Sequence, residues 1–351
     1  MKLFTCTHCG EILYFENTWC AHCGYSTGFY AENSDLLALS AKNDEDFQQN
    51  NIFYKYCTNH KFDVCNWLVS TGSKSAYCVA CDLNRTIPNL QEQRYRNYWH
   101  SIEAAKHRLV YSLLKLRLPV FSKREDLKKG LCFDFVADEK NKKIFTGHDN
   151  GLITINIAEA DDIKREMMRK NMNEAYRTVL GHFRHEVGHY YWNRLIDGTM
   201  NINMYETLFG DYKKDYGNAL KQYYANGAPA GWAQDFISAY ASSHPWEDWA
   251  ETWAHYLHIM DTLETAHYFD VRVKPLPAKN ANMCTEINDD PYNVADFKQI
   301  INQWLPLTYA MNSLNRSMGV ADIYPFIITP AVMKKLSFIH NVCFGLKERH
   351  C

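Results

Sequence analysis

Between residues 95 and 118 apolar side chains return every three or four positions, at Ile102, Ala105, Leu109, Leu113 and Leu116. That is the period of an amphipathic helix, and Pro119 predicts its end. Downstream the period shortens to two. Leu131–Val136 and Leu152–Ile157 alternate, with Gly and Asn-Gly between them, which predicts strands and a hairpin. From Ala158 onward helical patterning dominates. Residues 1–90 follow neither period: they are short-patterned, turn-rich and cysteine-rich. No internal repeat and no low-complexity tract interrupts the chain. The expected plan is an α+β protein: a small head over residues 1–90, then a mostly helical domain over 91–351, with 270–351 as a helical C-terminal extension.

Composition narrows the class. The chain has 351 residues, 46% of them hydrophobic, and a net charge of −2. That is enough for one large core and something smaller. The charge balance gives no footprint for nucleic acid or for a membrane surface. The start, MKLFTCTHCG, has no apolar run of a signal peptide, and no stretch approaches a membrane span. The expectation is a cytoplasmic protein without membrane or nucleic-acid partners.

Of twelve cysteines, eight fall within the first 81 residues. In a reducing compartment such clusters bind metal instead of forming disulfides. Cys6-x-x-Cys9 and Cys20-x-x-Cys23 are two knuckles, each followed by a glycine that allows the tight turn, and four sulfurs at this spacing suit a closed structural Zn²⁺ site. Cys57, Cys65, Cys78 and Cys81 form a second set, with His60 as a substitute ligand and exchange of partners between the sets as an alternative. A head this small needs the metal to fold. Cys132, Cys284, Cys343 and Cys351 are scattered and are expected to be buried or idle thiols.

The run NEAYRTVLGHFRHEVGHYYWNRLI predicts a helix with Tyr176, Leu180, Phe183, Val187 and Tyr191 on its core face. His185 and His189 are four apart, so both imidazoles face one metal, and Glu186 stands beside them to take a proton from water. Gly188 suggests tight packing. His182 is expected to be no ligand. Two histidines leave a zinc site incomplete, because a catalytic site takes three protein ligands and an open position. The third ligand has to come from elsewhere.

The segment SAYASSHPWEDWAETWAHYLHIMDTLETA starts with Ser242, Ser243 and Pro245, good helix-start residues. Glu247, Glu251, His255 and His258 line one face of this helix, beside Trp246, Trp249 and Trp253. Charges among tryptophans must be paired or bind metal. Glu247 as ligand, with Glu251 accepting the free ring N–H of a ligand histidine, is the economical assignment. The reverse assignment and His244 are the alternatives. His255 and His258 are expected to make core hydrogen bonds.

His185-Glu186-x-x-His189 with a downstream Glu-x-x-Ala-Glu resembles the gluzincin arrangement. Tyr240, seven residues before Glu247, is similar in placement to the tyrosine that stabilises the transition state in lethal-factor-like metalloproteases. More broadly, CNWLV, NRTIP, EAAKHRLVYSLL, TGHDNGLITINIAEADD, GHFRHEVGHYYW and SAYASSHPWEDWAETWAHYLH resemble a bacterial family of zinc-binding metallopeptidases with an N-terminal zinc ribbon. The resemblance implies a zincin-like fold and hydrolysis of a peptide or protein substrate, with one catalytic and two structural Zn²⁺. It also implies Glu186 as general base and Tyr240 as oxyanion donor, and by fold analogy Leu152–Ile157 as an edge strand that pairs with extended substrate. The ribbons offer a surface to a protein partner. The competing expectations are a zinc-binding scaffold with an inert peptidase-like core, and hydrolysis of a non-peptide amide.

Overall fold

The computed structural model describes residues 1–41, 47–49, 52–138, 143–144, 146–171, 177–276 and 281–349; Tyr176 and Cys351 lie outside them. The described chain divides into two compact units, Met1–Phe183 and Arg184–Cys351. No described helix is long and apolar enough to cross a membrane.

The first unit begins with a two-stranded hairpin, β1 (Phe4–Thr5) and β2 (Ile12–Leu13). A five-stranded antiparallel sheet follows: β3 (Ser26–Tyr30), β4 (Asp35–Ala41), β5 (Phe47–Gln49), β6 (Ile52–Tyr56) and β7 (Leu68–Ser70). The sequence pattern gives no warning of this sheet. In β4 the consecutive residues Leu36, Leu37, Ala38 and Leu39 are all buried, so the strand has no alternation to detect. One buried cluster on it joins Leu37, Leu39, Tyr54 and Leu68.

A second sheet has the order β10-β11-β9-β8, with β8 (Asn84–Thr86), β9 (Cys132–Val136), β10 (Gly147–Asp149) and β11 (Leu152–Asn156). Both β8 and β11 run parallel to β9. The predicted edge strand is β11, and it is not an edge: β10 pairs with its other side. The cause is the Asn-Gly turn. Asn150 and Gly151 both adopt left-handed backbone, at φ 48° and 80°, which folds Gly147–Asp149 back in a tight hairpin.

The predicted first helix is α1 (Gln93–Lys115). Pro119 does not end it. Arg117 at φ 55° turns the chain, and Arg117 N and Leu118 N donate back to Leu114 O and Leu113 O at 2.9 and 3.0 Å. A one-turn helix at Val79–Asp82 precedes α1, α2 (Asp162–Asn171) follows the second sheet, and the unit boundary falls in the sequence of α3 (Val179–Leu195).

The second unit is mostly helical: α4 (Ile202–Phe209), α5 (Tyr216–Asn226), α6 (Pro245–Tyr268), α7 (Phe297–Ser317) and α8 (Pro330–Arg349), with a minimal hairpin of β12 (Arg272–Val273) and β13 (Thr285–Glu286). α6 is its centre. It is buried on nearly every side, and α4, α7 and α8 pack against it. Pro245 holds the first turn, as expected, but the cap is His244, not a serine: its Nδ1 accepts from Trp246 N at 3.1 Å. α3 meets α6 at Gly188, where an added Cβ would lie 3.0 Å from Ala250 Cα and 3.2 Å from Trp253 Cβ. Only glycine lets the two backbones come this close. Trp249 Nε1 closes the crossing by donating to Gly188 O at 2.9 Å.

Candidate functional site

That crossing decides which side chains meet. From α3 come His185 and His189, and from α6 come Glu247 and Glu251. Glu247 Oε2 lies 3.0 Å from His185 Nε2 and 3.5 Å from His189 Nε2, on a carboxylate side chain only 1% exposed. One donor atom each of His185, His189 and Glu247 lie within 4.8 Å of one another, a set that could hold a metal ion. Glu251 sits at the other face of His185: its Oε1 accepts from Nδ1 at 2.7 Å. His189 is held by Trp246, whose ring lies 3.9 Å from the imidazole.

Two contacts at this site had no signal in the sequence. Tyr216 at the first turn of α5 donates its hydroxyl to Glu247 Oε1 at 2.6 Å. Ser238 donates Oγ to Glu251 Oε2 at 2.6 Å and accepts from Ala241 N at 3.1 Å. Tyr216 is the first residue of a separate helix and Ser238 lies in a loop, so no spacing rule links either of them to α3 or α6. Tyr240 opens the 3₁₀ turn Tyr240–Ser243, and its ring lies 6.0 Å from that of His185. Glu186 is half-buried one position from His185.

The charge distribution follows from this geometry. Burial lowers the His185 pKa, but Glu247 and Glu251 outweigh it and hold the imidazole well above its ordinary range. Burial raises Glu247, and His189 and His185 outweigh it to keep the carboxyl well below its ordinary range. Tyr240 is pushed far up, first by burial and then by Glu247, so its hydroxyl stays a proton-bearing donor.

The neighbouring histidines are engaged elsewhere. His255 Nδ1 bonds the Tyr324 hydroxyl at 2.9 Å, and burial lowers its pKa to about 4. His258 bonds Arg184, which also pairs with Asp261. His244 Nε2 faces Lys214 O at 3.1 Å. In the first unit, His182 Nδ1 lies 3.3 Å from Glu159.

The eight N-terminal cysteines form two fourfold sets, Cys6, Cys9, Cys20, Cys23 and Cys57, Cys65, Cys78, Cys81, with no exchange of partners. Sulfur pairs Cys6–Cys23, Cys9–Cys20 and Cys65–Cys78 are each 3.7 Å apart. A disulfide needs about 2.05 Å, whereas a tetrahedral ion with bonds of about 2.3 Å separates its sulfurs by about 3.8 Å. Gly10 and Gly24, at φ 78° and 76°, make the knuckle turns. His60 is not in the second set; its Nδ1 donates to Cys65 O at 2.8 Å. Of the scattered cysteines, Cys132 and Cys343 are buried and Cys284 is exposed.

Comparison with known proteins agrees with this inventory. A family model described as "Putative zinc-binding metallo-peptidase" matches residues 95–342, and a zinc-ribbon domain model matches residues 3–92. Over 343 residues the chain is 39% identical to proteins of Mycobacterium bovis and Mycobacterium tuberculosis, which carry the name uncharacterized protein; 97% of this chain and 95% of each relative are covered. No solved structure matches.

Proposed function

The chain belongs to this family of zinc-binding metallo-peptidases, and we propose on that footing that it hydrolyses peptide bonds, with a zincin-like, gluzincin-type catalytic domain over residues 91–351. The observation that carries the proposal is the convergence of His185 Nε2, His189 Nε2 and Glu247 Oε2. With Glu251 accepting the Nδ1 proton of His185, a metal would have to displace only the Nε2 proton, and the lone pair so freed would point to the side of the carboxylate oxygen 3.0 Å away. A cation shared by the three atoms satisfies all of them at once. Bonds of about 2.0–2.1 Å to a tetrahedral zinc would set neighbouring donors about 3.3 Å apart, and the separations from Glu247 Oε2 are 3.0 and 3.5 Å. The donor set therefore fits zinc.

When bound, zinc would supply Lewis acidity and bring the pKa of a water it holds to about 7. The chain's own groups do the rest. Glu186 takes the proton of the attacking water and passes it to the leaving amine. Tyr240 donates its hydroxyl to the developing oxyanion. Glu251 fixes the His185 ring and, through Ser238, the turn that carries Tyr240. We assign the two cysteine sets to structural zinc, the ribbons also as a docking face for a protein partner, and the site of action to the cytoplasm.

The test compares wild type with Glu186→Gln and Tyr240→Phe on a broad peptide library at matched zinc content. Glu186→Gln keeps fold and metal and should lose roughly 10²–10⁴ in rate; Tyr240→Phe should lose roughly 10². A wild type that cleaves nothing, and retains a protein partner as well as Glu186→Gln does, would make this an inert scaffold.

A further inference from the structure

α5 is an unusual helix for its position. It carries no buried residue, yet it packs on the Tyr240–Ser243 turn beside the candidate metal site. The glycines that bracket its segment, Gly210 and Gly227, have φ of 99° and 74°, and Gly231 follows at 78°. No core therefore anchors α5 by burial, which ordinarily supplies most of the stability of a short helix. What meets the site is its first turn. Asp215 caps that turn, accepting from Asn218 N at 2.7 Å. Tyr216 then points inward: its ring lies 5.3 Å from His244 and 5.6 Å from Trp246, and its hydroxyl donates to Glu247 Oε1 at 2.6 Å. About two turns further on, the Tyr223 ring lies 5.7 Å from Tyr240.

We propose that α5 is a gating helix latched to the catalytic metal site through Tyr216, so that metal occupancy and closure of the helix are coupled. The inference rests on the metallopeptidase reading of that site.

The chemistry has two parts. Glu247 has two oxygens, and only Oε2 faces the histidines. With Oε1 occupied by the Tyr216 hydroxyl, the carboxylate is oriented to offer a single atom, which leaves a coordination position open as catalysis requires. Losing such an outer partner typically costs ten- to a hundredfold in metal affinity or activity. The second part is reciprocal. If the latch on α5 strengthens metal binding by some factor, the metal strengthens the latch by the same factor. Tyr216 is thus a positioning residue. Helix opening would release both Oε1 and the Tyr223–Tyr240 contact.

The experiment uses full-length protein and two readouts. Zinc affinity of the labile site is measured by chelator competition under conditions that leave the cysteine-bound ions in place. Amide exchange of residues 216–226 is followed with and without that chelator. In wild type, removing the labile zinc should speed exchange in α5. Tyr216→Phe retains the ring packing and removes the hydroxyl alone. It should bind the labile zinc ten- to a hundredfold more weakly, exchange fast in α5, and no longer respond there to chelator. If Tyr216→Phe binds labile zinc as tightly as wild type, or if α5 in wild type ignores the metal, the latch is wrong while the peptidase reading stands. A wild type with zinc only on cysteine overturns the peptidase reading, and the latch with it.

Discussion

At the level of single residues the site depends on a division of labour between two acids one helical turn apart. Glu247 turns one oxygen to His185 Nε2 and His189 Nε2, while Glu251 takes the opposite nitrogen of the same His185. Glu247→Ala should therefore abolish the labile zinc and spare both cysteine-bound ions. Glu251→Ala should keep the labile zinc but weaken it roughly ten- to a hundredfold. Metal analysis after dialysis against graded zinc separates the two, and the opposite pattern would reverse their roles. These acids and the two histidines were legible in the sequence because each pair obeys helical spacing. Tyr216 and Ser238 were not. They approach through a separate helix end and a loop, and nothing within 30 residues of Tyr216 in the sequence records that its hydroxyl ends 2.6 Å from Glu247.

At the level of elements, α6 had the clearest signature and the fullest burial. Its start at Pro245 and its file of acids and histidines followed from pattern. The five-stranded sheet was missed because β4 is buried on consecutive positions and β5 is only Phe47–Gln49. Sequence also left open what the C-terminal segment does. α8 packs on α6, and Lys335 Nζ reaches Asp248 Oδ2 at 2.6 Å and Asp235 O at 2.7 Å, with side chains 6% and 0% exposed at the ion pair. Asp248 adjoins Glu247, so this pair ties the last helix to the turn that bears Glu247. Burial pushes the Asp248 carboxyl up to about 7 even against the pull of Lys335. Breaking a buried pair from one side costs about 3–5 kcal/mol, while replacing both partners is often near neutral. Lys335→Met should thus destabilise by a large part of that in urea unfolding, and Lys335→Met with Asp248→Asn should recover much of it. A single-variant cost under about 1 kcal/mol, the size of a surface pair, would show that α8 is not held this way.

At the level of the whole molecule, composition suggests a head that ends near residue 90 and can be cut off, and the packing within Met1–Phe183 argues against that. Cys81 of the second cysteine set lies 3.7 Å from His107 Nε2 on α1, and His107 Nδ1 donates to Glu103 O at 2.7 Å. Glu103, fully buried, accepts from Asn84 at 2.7 Å, Trp99 at 3.0 Å and Lys106 at 2.8 Å. Phe15 and Phe29 press their rings on Tyr111 of the same helix, and β8 is one edge of the sheet that β9 and β11 share with β10. A fragment of residues 91–351 would lose Cys81, Asn84 and β8 together: the buried Glu103–Lys106 pair would lose Asn84, which bonds both of its members, and His107 would lose the Cys81 sulfur at its Nε2. A buried ion pair is tolerated only where further hydrogen bonds satisfy its remaining donors and acceptors, so stripping those partners and one strand of the sheet is costly. The intact chain should hold three zinc ions, two of them slow to leave because closed thiolate sites have no open position. The fragment should lack a cooperative thermal transition rather than appear as a trimmed enzyme with one zinc. Cys78→Ser in the full chain supplies the control: it deletes no backbone, should release one slow zinc, and should speed amide exchange across residues 93–115. A fragment that melts cooperatively with one zinc bound, together with unchanged exchange in Cys78→Ser, would make the head a separable module after all.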